Sequence, residues 1–263
     1  LKGLLLTTLL FFTGFIIAVN NEAILAKDFP RKISDYEFFT DGPNQIPQDE
    51  VIPYELISPL FSDYTYKKRF IYVPEGKKGI YKEDWVYDFP VGSALVKTFY
   101  YPLDERNLKL GKRLLETRVL LKQSKGWRAV SYAWNEEQTE AHIKIAGKTI
   151  NTDWKDLDGE LRKVRYRVPN VNQCKECHSS NDEITPIGPK PTNLNKNLNY
   201  KEGSSNQLQY LLSRGYVDQI SSNLRKTVNW RDESMTLNDR ARSYLAVNCG
   251  HCHSKTGVAN STG

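Results

Sequence analysis

The chain has 263 residues, room for one large domain or two modest ones. Hydrophobic residues at 39% and charged residues at 26% exclude a disordered chain and a membrane-embedded one. The net charge of +6 comes from basic residues interleaved with acidic ones, a solvated surface rather than a nucleic-acid-binding stripe.

The N-terminus reads as a targeting segment over residues 1–26. Lys2 supplies a positive start, Leu4 to Val19 form an apolar run, and Ile24-Leu25-Ala26 offers a cleavage site. Sixteen apolar residues fall short of the about 20 that a membrane-spanning helix needs. The expectation is an exported protein, membrane-associated only if this segment is retained.

Residues 27–50 hold few buried-looking positions and a turn at Asp41-Gly42-Pro43-Asn44, predicting a leader that wraps the following domain. Seven β-branched and aromatic runs follow, over 69–73, 84–89, 93–101, 114–122, 127–134, 141–147 and 163–168. Their close spacing predicts an antiparallel β-rich domain over 27–168, a sandwich or a barrel. Trp127, Tyr132 and Trp134 are expected in its core, and Glu136-Glu137 in a turn between strands.

After Pro169-Asn170 the texture changes. Residues 179–205 read as loop, then helices are predicted over 206–215 and 236–249, the second with Leu237, Ala241, Tyr244 and Leu245 on one apolar face. The fold class is therefore α+β, with a mainly α region over 169–263.

That region contains all four cysteines, in Cys174-Lys175-Glu176-Cys177-His178 and Cys249-Gly250-His251-Cys252-His253. Both fit covalent attachment of haem c. In one helical turn, thiols three apart reach the two vinyl groups on one porphyrin edge, and the next imidazole is directed at the iron. Zinc ribbons place their cysteine pairs some 15–20 residues apart, far closer than these two. Disulfides do not call for a histidine after each pair. The sites predicted are Cys174, Cys177, Cys249 and Cys252 for two covalent haems, with His178 and His253 as axial iron ligands.

Met235, 57 positions after His178, is either a distal ligand of the first iron or an apolar residue at a helix start. His142 reads as a sheet histidine, and His251 is too close to its own motif to bend back to the same iron. Ten residues follow His253, too few to complete a cytochrome c pocket. The second haem site is thus expected to be incomplete, in a chain cut short at its C-terminus.

With these residues in hand, the chain resembles a family of largely uncharacterised bacterial dihaem c-type cytochromes. The resemblance rests on YELISPLFSDYTYKKRFIYVPEG (54–76), DFPVGSALVKTFYYP (88–102), LETRVLLKQSKGWRAVSYAWNEEQTEA (115–141), VPNVNQCKECH (168–178), PIGPK (186–190) and RARSYLAVNCGHCH (240–253). It implies a periplasmic protein with two haem c groups, passing electrons between a donor dehydrogenase and an acceptor. The competing expectation is a dihaem enzyme, peroxidase-like, with one open iron position. No catalytic triad, phosphate loop or paired-carboxylate site stands out, so a carrier is favoured over a catalyst.

Overall fold

A computed structural model describes residues 18–261 except Asp84. Residues 1–17 of the expected targeting segment therefore lie outside the described residues. A short helix α1 (Asn21–Leu25), capped by the Asn20 side chain, opens the fold. The strands β1 (Phe39–Asp41), β2 (Ile46–Pro47), β3 (Ile52–Pro53), β4 (Tyr66–Tyr72) and β5 (Ala94–Pro102) come next. They are followed by β6 (Lys112–Gln123), β7 (Gly126–Trp134), β8 (Ala141–Ile143), β9 (Lys148–Lys155) and β10 (Leu161–Val168).

Strands β3 to β8 form one six-stranded antiparallel meander in chain order. Each strand pairs antiparallel with the next, through tight turns from β6 onward and through longer loops over 54–65 and 73–93 before that. The sheet stays open. β9 and β10 pair only with each other, so the described residues form an open sheet with a hairpin packed on it rather than a closed barrel. The hairpin seats Ile150, Trp154, Tyr166 and Val168 on Phe99, Tyr101 and Leu115 of the sheet. The free edge of β8 is blunted by the leader, where Ile33 N–H donates to Ala141 O at 3.0 Å and Ile143 N–H to Arg31 O at 3.0 Å.

The leader supplies more of the core than its composition announces. Ile33, Tyr36 and Phe38 are buried against Val96, Val119, Val130 and Tyr132 on one face of the sheet. Val19 and Ile24 belong to the same cluster, so residues 19–26 are packed parts of this domain. Gln123 Nε2 donates to the carbonyls of Ile24 (2.8 Å) and Ala26 (2.9 Å), and Val19 N–H donates to the Glu50 carboxylate. A boundary at Ala26 cuts through this packing. A chain beginning at Lys27 is expected to lose about 3–6 kcal/mol against one beginning at Ala18, two buried aliphatic side chains at roughly 1.5–3 kcal/mol each. Urea midpoints of the two chains check this.

Among its described residues, the run at 84–89 forms no strand. Trp85 is exposed, while Tyr87 and Phe89 turn inward to anchor a loop held by the Ile80–Asp88 and Gly79–Val217 bridges. Conversely β9 (KTINTDWK) went unread, although Ile150, Thr152 and Trp154 alternate inward along it. Trp127, Tyr132 and Trp134 do lie in the packed layers, and Glu136 sits in the β7–β8 turn, where Arg113 Nη2 meets it at 2.5 Å.

Beyond β10 come α2 (Val171–His178), β11 (Ser179–Ser180), β12 (Glu183–Ile184), α3 (Pro191–Leu194), β13 (Asn197–Tyr200), β14 (Gly203–Asn206), α4 (Gln207–Ser213) and α5 (Leu237–Asn248). Short hairpins thus interrupt the helices, and a mainly α region does not describe 169–261. Leu194, Leu208, Leu211 and Val217 pack on Ile71, Val73 and Leu95, the sheet face opposite the leader. Among the described residues, no helix is long and apolar enough to cross a membrane.

Candidate functional site

The first cysteine motif lies on α2. Asn170 and Gln173 cap this helix reciprocally: Gln173 N–H donates to Asn170 Oδ1 at 2.8 Å, and Asn170 N–H to Gln173 Oε1 at 3.0 Å. The cap starts the helix one turn before Cys174, and α2 packs on β7, so the Cys174 thiol is buried and Cys177 is exposed. Burial raises the pKa of Cys174, which keeps it a thiol in the absence of a reaction partner.

His178 ends the helix with its ring fixed by the backbone. Nδ1 lies 2.8 Å from Thr185 O and so carries the proton it donates, leaving Nε2 unprotonated. The hairpin of β11 and β12 brings Thr185 back, turning at Asn181 and Asp182 with positive φ of 50° and 62°. Burial, reinforced by the positive charge of Lys97, pushes the His178 pKa down to about 4. A neutral imidazole held at Nδ1 by a carbonyl is the form in which histidine binds metal.

A cavity of about 770 Å³ opens between this helix and the sheet, within the range of cofactor sites. Cys174, Cys177 and His178 lie on its wall, with Pro186–Lys190 and one side of α5 opposite. Its sheet floor carries apolar Leu95 and Leu120 and the cations Arg69, Lys97 and Arg118, with Lys67 near the rim. Arg118 Nη2 reaches Glu116 Oε1 at 2.6 Å, and the Tyr166 hydroxyl donates to the same oxygen at 2.5 Å. Burial would depress the Arg118 pKa, but the Glu116 carboxylate outweighs it and holds the guanidinium charged.

The other cations lack such a partner. Burial first, then the neighbouring positive charges, drives Lys97 well below the ordinary lysine range and Lys67 down to about 7. The sign for stability follows. Between pH about 7 and the ordinary lysine value of 10.5 the unfolded chain holds the Lys67 proton and the folded chain does not. Stability of the chain is therefore expected to rise with pH through this window. Urea midpoints at pH 7 and pH 9.5 would show it, with Lys67→Met flattening the slope.

The second motif is brought against the first. α5 ends at Cys249, and Cys252 and His253 continue in turns whose amides bond back to Cys249 O at 3.1 and 3.0 Å. Ser180 bridges to Gly257, Asn181 N–H donates to Thr256 O at 3.1 Å, and Cys252 Sγ approaches Glu176 O at 3.9 Å. Gly257 is required there, since a Cβ would stand 2.2 Å from Cys252 O. The four thiols are free, and no group of three or more His, Cys, Asp or Glu converges as a metal site among the described residues.

His251, expected only not to bend back to the iron of its own motif, stands in an unexpected place. It does not turn toward its own motif's partner but lines the cavity of the first motif, with Nδ1 buried and making no hydrogen bond. Met235 lies elsewhere, 38% exposed and absent from the cavity wall. His142 sits on edge strand β8, paired with Lys32. Cys249 and His253 are exposed.

The predicted apolar stripe of α5 is also exposed. Leu237 is 77% and Leu245 55% accessible, while Ser243 turns inward to donate to Val228 O. No family model, curated protein or solved structure matches the chain.

Proposed function

We propose that this chain is an exported c-type cytochrome that carries two covalent haems and transfers electrons between redox partners. The observation that carries the reading is the wall of the 770 Å³ cavity, where α2 presents Cys174, Cys177 and His178 together. The residues fit the group. Two thiols stand one helical turn apart, and the Thr185 carbonyl holds the imidazole with Nε2 unprotonated. Apolar side chains of the sheet flank the space, and cations lie where an acidic cofactor needs them. Haem supplies one-electron iron chemistry when bound. Cys174 and Cys177 hold the first ring, His178 is its proximal ligand, and His251 supports the sixth position better than Met235. Cys249, Cys252 and His253 hold the second.

The test is maturation of the full chain in a host with haem c assembly machinery. A haem-staining band and an intact mass raised by two haems are expected, and each cysteine pair replaced by serine should remove one haem. A colourless product with free thiols overturns the reading. The exposure of Cys249 and His253 favours a second reading, a dihaem redox enzyme with an open iron position at the second motif. Carbon monoxide binding to one haem of the reduced protein, with turnover of a peroxide, would select it.

A further inference from the structure

The cavity floor holds a feature that strand pairing alone does not explain. The register places Arg69 opposite Lys97, Lys97 opposite Arg118, and Arg118 opposite Ser131, a row of three cations across β4, β5 and β6 that ends on β7. Like charges directly opposite one another oppose sheet formation. The row is also withdrawn from water: Arg69 is 7% exposed, and Arg118 Nε is buried without a hydrogen bond.

Among the described residues, Glu116 is the one carboxylate in ion-pair contact with the row, and it serves Arg118 alone. The ring of Phe99 carries the rest, with Arg118 at 4.3 Å, Lys97 at 4.9 Å and Lys67 at 5.8 Å from its centroid. An aromatic face attracts cations but does not neutralise them. Two guanidiniums and two lysines whose charge burial disfavours, gathered on one cavity and answered by one acid, form a site that an anionic occupant would stabilise in its charged form.

Direction is fixed by the tether. Cys174 sits at the β7 end, beside Ser131, and Arg69 lies three strand spacings away, about 14 Å at roughly 4.8 Å each. In haem the two carboxylates project from the edge opposite the vinyl groups. We propose that the first ring lies along this row, its thioether edge at Ser131 and its two propionates received by Arg69, Lys97 and Lys67. This rests on the haem reading above and adds the residues that neutralise the acid edge.

The experiment compares Lys97→Met and Arg69→Gln with the unaltered full chain, each in haem-loaded and haem-free form. Without haem, removing a basic group that burial penalises removes that penalty, so the Tm of both variants is expected to rise. With haem attached, the same substitutions strip the propionates of partners. The Tm then falls, and the midpoint potential of the first haem falls because a nearby positive charge favours the reduced iron. Haem staining stays at the level of the unaltered chain. Opposite signs in the two forms carry the proposal. A Tm that falls without haem, or a potential unmoved in both variants, overturns it. Absence of haem from the unaltered chain would instead overturn the underlying reading.

Discussion

Exchanging Glu116 for glutamine is expected to destabilise the chain by about 3–5 kcal/mol, the usual cost of breaking a buried ion pair from one side. Glu116 is fully buried, accepts from both Arg118 and Tyr166, and is the acid that answers the cation row. Neutralising it leaves Arg118 charged, mostly withdrawn from water and facing Lys97. The change should appear as a lower urea midpoint with an unaltered slope. Replacing both Glu116 and Arg118 by uncharged residues should recover most of the loss, because the penalty belongs to the orphaned charge. The surface pair Lys201–Asp49, 73% and 86% exposed, is the control, and its removal should leave the midpoint where it was.

If the proposed haem reading holds, His251→Ala is expected to open the sixth position of the first iron. In the matured protein, the reduced form should then bind carbon monoxide at one haem where the unaltered protein does not, and the oxidised spectrum should shift toward high spin. Met235→Leu should change neither. The contrast follows from placement: His251 lines the same cavity as His178, and Met235 does not. If Met235→Leu alone opened the iron, the cavity assignment would be wrong.

What could be read along the chain was whatever depends on near neighbours. The end of the β run near residue 170 coincides with the Asn170 cap, and a helix appears within each of the two expected spans. Reading failed where burial is decided at a distance. The Leu237–Leu245 stripe marks an amphipathic helix, yet the side of α5 that seats is the one whose Ser243 finds Val228 O and Ser58. Tyr36 and Phe38 looked like isolated aromatics in a polar leader until the face formed by β5–β7 gave them a surface.

The candidate site divides in the same way. Cys174, Cys177 and His178 are legible because three- and four-residue spacing is a helical property. Arg69, Lys97 and Arg118 are not, since only the register of three strands sets them in line. Single basic residues in strands carry no signal of that alignment. His251 joins the cavity only through tertiary packing, which local spacing does not show.

The seating of Cys174 also fixes an order of events. At 8% exposure, beneath α2 and against β7, its sulfur is beyond the reach of any assembling enzyme once the domain has closed. On the haem reading proposed above, thioether formation at this position would therefore have to come while the chain is still open. On that reading, a chain that folds first would be caught in a dead end, to be loaded only after it unfolds again.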